Sequence, residues 1–357
     1  MRKFTRYGLA ASMAAALAWG LSGCGGGADG NQQLSTSYTS LVSFGDSLSD
    51  VGTYKVGGIV AMGGGKYTVN SASAKNWTEL LAAQMGLPAP CAAQTGLNGD
   101  VNYGFNVPVV NTVACLNYAQ GGARVTNPVG PGNKYLGGAN ATLGQLTVPV
   151  VTQITNHLSK TGGTFSGKEL VTVMAGGNDV FINLASVSAG MNPTDAVTAM
   201  GTAGAELAGY IKTMILAKGA TKVAVLNIPD VKGTPFGQST NTATQGLIDL
   251  MVTTFNAQLK AGLQNTSGVL LIDAYTASKD ETANPAQYGL TNVTGTACIL
   301  DNPARNALAS SLVCNASNVN AGDVSHYLFA DTVHPTPYGY QLIAQEVTKD
   351  LVLAKWF

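Results

Sequence analysis

Four short β-rich runs recur along this chain, and the helical stretches between them restrict its fold more than any other feature. The runs are Leu41-Val42-Ser43-Phe44, Leu170-Val171-Thr172-Val173-Met174-Ala175, Lys222-Val223-Ala224-Val225-Leu226-Asn227-Ile228 and Val269-Leu270-Leu271-Ile272-Asp273. Residues 194–217 and 242–263 carry helical patterning and lead into the third and fourth runs. Apolar strands that alternate with helices predict a mainly parallel sheet covered on both faces, which is the α/β class. Leu342, Ile343, Val347 and Leu351 mark a closing amphipathic helix. Gly- and Asn-rich intervals at 55–76, 94–113, 127–147 and 283–323 read as long loops that build the substrate surface. Tyr54, Tyr67, Trp77, Tyr103, Phe105 and Tyr135 lie in or near them and are candidates to line an acyl pocket.

Open α/β sheets bind ligands beyond the carboxyl ends of their strands. The first run ends in Gly45-Asp46-Ser47-Leu48-Ser49-Asp50, which puts the hydroxyl of Ser47 at such an end. A serine becomes a good nucleophile only when a base removes its proton, and the chain has three histidines, His157, His326 and His334. His334 follows Asp331 by three residues, so that the carboxylate can orient the ring and stabilise its cationic form. Asp323 and His326 repeat the spacing, but Pro335, Gly339 and the closing helix give His334 the better context. His326 reads as a local hydrogen-bonding residue. Asp46, Asp50 and Asp179 read as capping and turn residues beside the motifs.

Four blocks in order resemble the SGNH, or GDSL, hydrolase family of lipases and esterases. Gly45-Asp46-Ser47-Leu48 resembles the nucleophile block and Asn117-Tyr118-Ala119-Gln120-Gly121-Gly122-Ala123 the oxyanion glycine block. Gly176-Gly177-Asn178-Asp179 resembles the asparagine block, and Asp331-Thr332-Val333-His334-Pro335 the block carrying the catalytic acid and base. The resemblance implies a three-layer α/β/α, flavodoxin-like fold with a mainly parallel central sheet and long active-site loops. It also implies Ser47, Asp331 and His334 as a triad, and an oxyanion hole built from the backbone N–H of Ser47, the backbone N–H of Gly122 and the side-chain amide of Asn178. Gly121 is the alternative to Gly122. The residues around Asp331 and His334 resemble the lipase and phospholipase branch.

Other hydrolase signatures are absent from the sequence. No Gly-x-Ser-x-Gly elbow occurs, Lys160-Thr161-Gly162 has no Ser-x-x-Lys to complete a penicillin-binding pattern, and there is no His-Glu-x-x-His. The chemistry expected is free of metal and cofactor.

The N-terminus resembles a bacterial lipoprotein signal. Arg2, Lys3 and Arg6 precede an apolar, alanine-rich stretch from Gly8 to Leu21, and Leu21-Ser22-Gly23-Cys24 closes it. Residues 1–23 are thus expected to be removed, Cys24 to be lipidated, residues 24–40 to form a flexible Gly-rich and polar tether, and residues 41–357 to form one hydrolase domain. Export makes disulfides available to the remaining Cys91, Cys115, Cys298 and Cys314, with pairing expected between sequence neighbours.

Formal net charge is zero and 11% of residues are charged, which argues against a nucleic-acid partner and suits a neutral or lipidic ester. The expectation is an exported serine ester hydrolase, monomeric, held at the outer membrane by its lipid anchor or else secreted. Lipid acyl transfer and carbohydrate O-deacetylation use the same kind of site. A surface lipoprotein that only binds lipid or glycan would need a degenerate one.

Overall fold

A computed structural model of the chain describes residues 37–357. The expected signal segment at 1–23, the lipidation site Cys24 and the tether up to residue 36 lie outside the described residues. The end of the expected tether is tied down: the Tyr38 hydroxyl donates to the Trp356 carbonyl at 2.7 Å, and the Thr39 N–H donates to the Lys168 carbonyl at 3.0 Å.

Among the described residues the strands are β1 (Leu41–Gly45), β2 (Gln94–Asn98), β3 (Asn106–Asn111), β4 (Leu170–Met174), β5 (Val223–Leu226), β6 (Val269–Ile272), β7 (Asn292–Thr296) and β8 (Tyr327–Phe329). The four expected runs become β1, β4, β5 and β6, and they form one sheet in that order with every pairing parallel. Residues 116–120 extend this sheet on the free edge of β1. The Ser43 N–H donates to the Leu116 carbonyl at 3.0 Å, the Tyr118 N–H to Ser43 at 2.8 Å and the Gln120 N–H to Gly45 at 3.1 Å. The spatial order is therefore 116–120, β1, β4, β5, β6, so the chain leaves β1 toward one edge and then crosses to the other. Such a reversal is where doubly wound sheets hold ligands.

Alternate side chains explain the layers. Val42, Phe44, Val171, Val173, Val223 and Val225 pack with the helices Val150–Lys160, Gly177–Ser188, Pro193–Tyr210 and Thr242–Leu263. Leu170, Met174, Ala224, Leu226 and Ile272 pack on the opposite face with Trp77–Gln84 and Pro337–Leu353. This is the expected three-layer α/β/α arrangement. The helix expected at 194–217 runs as Pro193–Tyr210 and continues through a π-turn over Ile211–Ile215.

Two expectations change. The interval 94–113 is largely an antiparallel ribbon of β2 and β3 with a register shift between Thr95 and Leu97, not a structureless loop. Of the six candidate aromatics, Tyr54, Phe105 and Tyr67 pack together in a satellite cluster with Ile59, Leu97 and Leu312, Trp77 lies in the sheet-facing core, and Tyr103 and Tyr135 are exposed. Tyr67 alone among them also reaches the site described below. Aromatic rings in Gly-rich intervals have packing work to do wherever a loop must cover the body, and sequence does not separate that work from substrate binding.

Both disulfides join sequence neighbours, Cys91 to Cys115 and Cys298 to Cys314. The first ends where residues 116–120 begin their pairing with β1. The second closes the segment that carries Ser311.

His157 belongs to the core rather than to any site. Its ring packs against Phe44, Tyr118 and Phe165, and burial, helped by the positive charge of Lys160, lowers its pKa from 6.5 to about 4. The unfolded chain binds a proton near pH 6.5 while the folded chain resists until about pH 4, so acidification through that window favours unfolding. The His157→Phe variant should therefore lose less stability than the parent between pH 7 and pH 4, as read by urea midpoints at each pH. Parallel slopes in the two proteins would show that His157 does not titrate in this way.

Candidate active site

The turn after β1 is fixed before any catalytic side chain is considered. Gly45 sits at φ 156° with its Cα against the edge of β4, where a Cβ would lie 2.3 Å from the Met174 carbonyl oxygen. Only glycine allows that approach. Gln153 clamps the same residue from the helix Val150–Lys160, accepting from the Gly45 N–H at 2.9 Å and donating to its carbonyl at 2.8 Å. Asp46 accepts from the Leu48 N–H at 3.0 Å. Burial raises the Asp46 pKa to about 7, against the opposing pull of the Leu48 amide and of His334.

Ser47 emerges from this turn with its Oγ 2.8 Å from His334 Nε2. On the other side of the ring, Nδ1 lies 2.9 Å from Asp331 Oδ1 and 2.8 Å from Oδ2. Asp331 is 4% exposed and accepts three backbone N–H groups, from Ser311 at 2.9 Å, Val333 at 3.0 Å and His334 at 2.8 Å. Burial alone would push this carboxyl up, but the His334 charge, the hydrogen bond to its ring and the Ser311 and Val333 amides outweigh it and hold the carboxylate well below its usual range. A permanently ionised partner fixes the imidazole with its Nδ1 proton toward Asp331 and its Nε2 lone pair toward Ser47. The Tyr67 ring lies on the His334 ring at 4.6 Å between centroids. Its face is a favourable neighbour for an imidazolium.

Two loops face Ser47 with hydrogen-bond donors. Asp50 settles which glycine amide is available: it accepts from Gly52 and Thr53 at 2.8 Å each and reaches across to the Gly121 N–H at 3.0 Å. The Gly121 amide is thus occupied. Among the described residues the N–H groups of Gly122 and Ser47 have no acceptor, and both residues line the same cleft. Gly122 holds φ 78°, and a Cβ there would lie 2.1 Å from the Pro131 carbonyl oxygen. Asn178, at the start of the helix after β4, spends one amide hydrogen on the Ala123 carbonyl at 2.8 Å and keeps the other. Asp179 does not cap a turn as expected. Its carboxylate takes the Arg124 Nε at 2.8 Å and the Val125 N–H at 3.1 Å, which ties the asparagine block to the glycine block. Asp46 and Asp50 do make the expected turn bonds.

The other expected positions fall away from this cluster. His326 packs on Tyr338 with ring centroids 4.4 Å apart, in a surface groove with Ser73 and Lys75. Sequence reasoning did not single out Gln153, Ser311 or the stacking role of Tyr67. Gln153 bonds a backbone 108 positions away and Ser311 bonds through its main chain, so neither carries a local motif.

The space around Ser47 is unequal. On the side of β4 and β5, Leu48, Met174, Ala175, Ile228, Pro229 and Val231 form a narrow apolar pocket. On the oxyanion side a cleft of about 660 Å³ opens to solvent, and its walls mix Gln145, Ser188, Thr240 and Ser310 with Phe181, Leu184 and Phe236. Among the described residues no group of three or more His, Cys, Asp or Glu could hold a metal ion, and no helix is long and apolar enough to cross a membrane.

A parallel α/β sheet with a hydroxyl, an imidazole and a carboxylate in line at its carboxyl rim is the architecture of an ester hydrolase. The chain matches the family described as GDSL-like Lipase/Acylhydrolase over residues 41–347, and it belongs to that family. A GDSL esterase/lipase of Arabidopsis thaliana is 25% identical over 345 residues, covering 87% of this chain and 85% of its own. Among solved structures, a lipase from a goat rumen metagenome is 15% identical with a TM-score of 0.41, covering 87% of this chain and 96% of its own. An acetylxylan esterase from Geobacillus stearothermophilus is 13% identical with a TM-score of 0.40, covering 88% and 95%.

Replacing Asn178 by Ala should lower kcat by about 10²–10³ while leaving KM nearly unchanged, because the donor acts on charge that develops after binding. Steady-state kinetics on a soluble ester would check this, and an unchanged kcat would move the oxyanion site elsewhere.

Proposed function

We propose that this protein is an exported serine ester hydrolase that acts on lipid or other neutral esters through an acyl-enzyme, anchored through lipid on Cys24. The observation that carries the catalytic part is the unbroken line from Ser47 Oγ through the His334 ring to Asp331, with contacts of 2.8 Å on Ser47 and 2.8 Å on Asp331 Oδ2. In the first step Ser47 Oγ bonds to the ester carbonyl carbon and its proton passes to His334 Nε2. The carbonyl oxygen takes up the negative charge and meets the N–H groups of Ser47, Gly122 and Asn178. Collapse breaks the bond to the alcohol oxygen, which leaves with the His334 proton. Water then gives a proton to His334, attacks the acyl-Ser47 and releases the acid, and Ser47 recovers its proton.

The apolar lining of the pocket beside Ser47 supports a hydrocarbon acyl group. The wider cleft, whose walls mix hydroxyl and amide groups with apolar side chains, has room for the alcohol component. The relationship to a protein described as a GDSL esterase/lipase supports an ester substrate. The basic, apolar and small-residue order before Cys24 supports the anchor and the assignment to an exported, membrane-held protein, and the resemblance of Tyr327-Leu328-Phe329 and Pro335-Thr336 around Asp331 and His334 supports the lipase and phospholipase branch.

A soluble form lacking residues 1–24 should hydrolyse p-nitrophenyl esters, and Ser47→Ala should remove that turnover while preserving the far-UV circular dichroism spectrum. Turnover that survives in Ser47→Ala would eliminate the nucleophile assigned here. Mass spectrometry of the full chain extracted from bacterial membranes should find diacylglycerol on Cys24; an N-terminus beginning elsewhere and carrying no lipid would end the anchor proposal.

A further inference from the structure

We propose that a second apolar cavity, behind the catalytic pocket, takes the distal part of a medium- or long-chain acyl group, and that carboxyl groups in its wall control whether the chain can enter. This rests on the ester-hydrolase reading and specifies its acyl component. The catalytic pocket and the cavity share Leu48, Met174, Pro229, Thr234 and Val333, so one wall faces both. Beyond that wall the cavity follows the carboxyl ends of the sheet, with Leu226 of β5 and Ile272 of β6 in its floor. The helices Ala274–Ala283 and Pro337–Leu353 supply Ala277 and Ile343. Its volume is about 70 Å³, the same as that of the catalytic pocket. From β1, which carries Ser47, to β6 is three strand spacings, roughly 14 Å. A butyryl group attached to Ser47 falls well short of that distance, and a decanoyl group reaches well into it.

The far part of this cavity is acidic in an otherwise apolar setting. Asp230, Glu281 and Glu346 line it, Glu346 is paired with Lys349 at 2.6 Å, and among the described residues no lysine, arginine or histidine lines the cavity itself. Glu281 is 7% exposed, and Asp230 is 8% exposed with a buried Oδ1 that has no hydrogen-bond partner. Burial, reinforced by Glu346 across the cavity and by Asp280 on its own helix, raises the Glu281 pKa to about 7. Burial also raises that of Asp230, with Asp249 adding to the shift and Lys232 and Lys279 opposing it. Below pH 7 Glu281 is neutral and the cavity accepts hydrocarbon. Above it the carboxylate holds water that an acyl chain must displace without replacing its hydrogen bonds, so entry becomes unfavourable. Short esters never reach this region, and their turnover reports the catalytic centre alone.

The test is the ratio of kcat/KM for p-nitrophenyl decanoate to that for the butyrate, at pH 6 and pH 8.5. A pH effect on the catalytic centre acts on both esters alike and cancels in the ratio. The parent protein should favour decanoate several-fold more strongly at pH 6, and Glu281→Gln should make the ratio independent of pH. Ala277→Trp, which fills the cavity, should lower the ratio by roughly tenfold or more, the scale set by the loss of a few buried methylenes. A ratio unmoved by Ala277→Trp would overturn the subsite. A pH-independent ratio in the parent, or one that keeps its pH dependence in Glu281→Gln, would overturn the carboxyl control. Absence of turnover on both esters in the parent would instead strike the hydrolase reading and this inference with it.

Discussion

The site depends on β1 being hydrogen-bonded in parallel along both edges. Residues 116–120 pair with one edge and β4 with the other, so three consecutive strands end at the same rim. The loops after them carry Gly122, Ser47 and Asn178 in that spatial order. Donors placed this way come from rigid strand ends, which hold them close to the geometry a developing oxyanion requires. The pairing also explains why the neighbouring glycine is not interchangeable with Gly122. Asp50, on the β1 loop, captures the Gly121 amide, and the peptide that follows is left pointing at the cleft.

Around this frame, buried carboxylates are used in different electrostatic states. Asp331 collects three backbone N–H groups and the His334 ring, which more than offset its desolvation and keep it ionised. Asp179 is paired with Arg124 and the Val125 amide, yet burial still raises its pKa. Asp46 lies next to the nucleophile and is raised to about 7. The carboxyl held below its usual range, and not the ones raised by burial, is the one in contact with the imidazole. A depressed acid next to a base fits an orienting role, because a neutral carboxyl would offer a proton to Nδ1 and spoil the tautomer that Ser47 requires.

Much of this was legible in the sequence because the relevant signals are local. Apolar runs of four or more residues specify strands, Gly-Asp-Ser and Gly-Gly-Asn-Asp specify turns at strand ends, and Asp-x-x-His places acid and base on one short loop. What escaped notice depends on long-range backbone contacts. Gln153 clamps Gly45, Ser311 donates its N–H to Asp331, and Gln120 accepts from the Val148 N–H. A main-chain donor can belong to any residue except proline, so Ser311 has no compositional mark. The ribbon of β2 and β3 was missed for a related reason: β3 is mostly exposed and β2 buries only the adjacent Gly96 and Leu97, so neither strand shows the alternation that a buried face imposes.

The inequality of the two spaces beside Ser47 follows from the same topology. On the side of β4, β5 and β6 the sheet continues, and the strand ends present Met174, Leu226 and Ile272, which belong to the apolar layer under the closing helix. Space on that side must be narrow and hydrophobic, because its walls are core residues reaching past the ends of their strands. On the side of 116–120 the sheet stops, and the walls come from loops and helices that mix Gly, Ser and Thr, whose backbone groups need water or polar partners, with Phe181, Leu184 and Phe236. A substrate therefore meets a narrow apolar pocket on one side of Ser47 and a wide cleft of mixed lining on the other. The reversal of strand order that exposes the nucleophile also separates the environments of the two halves of the ester.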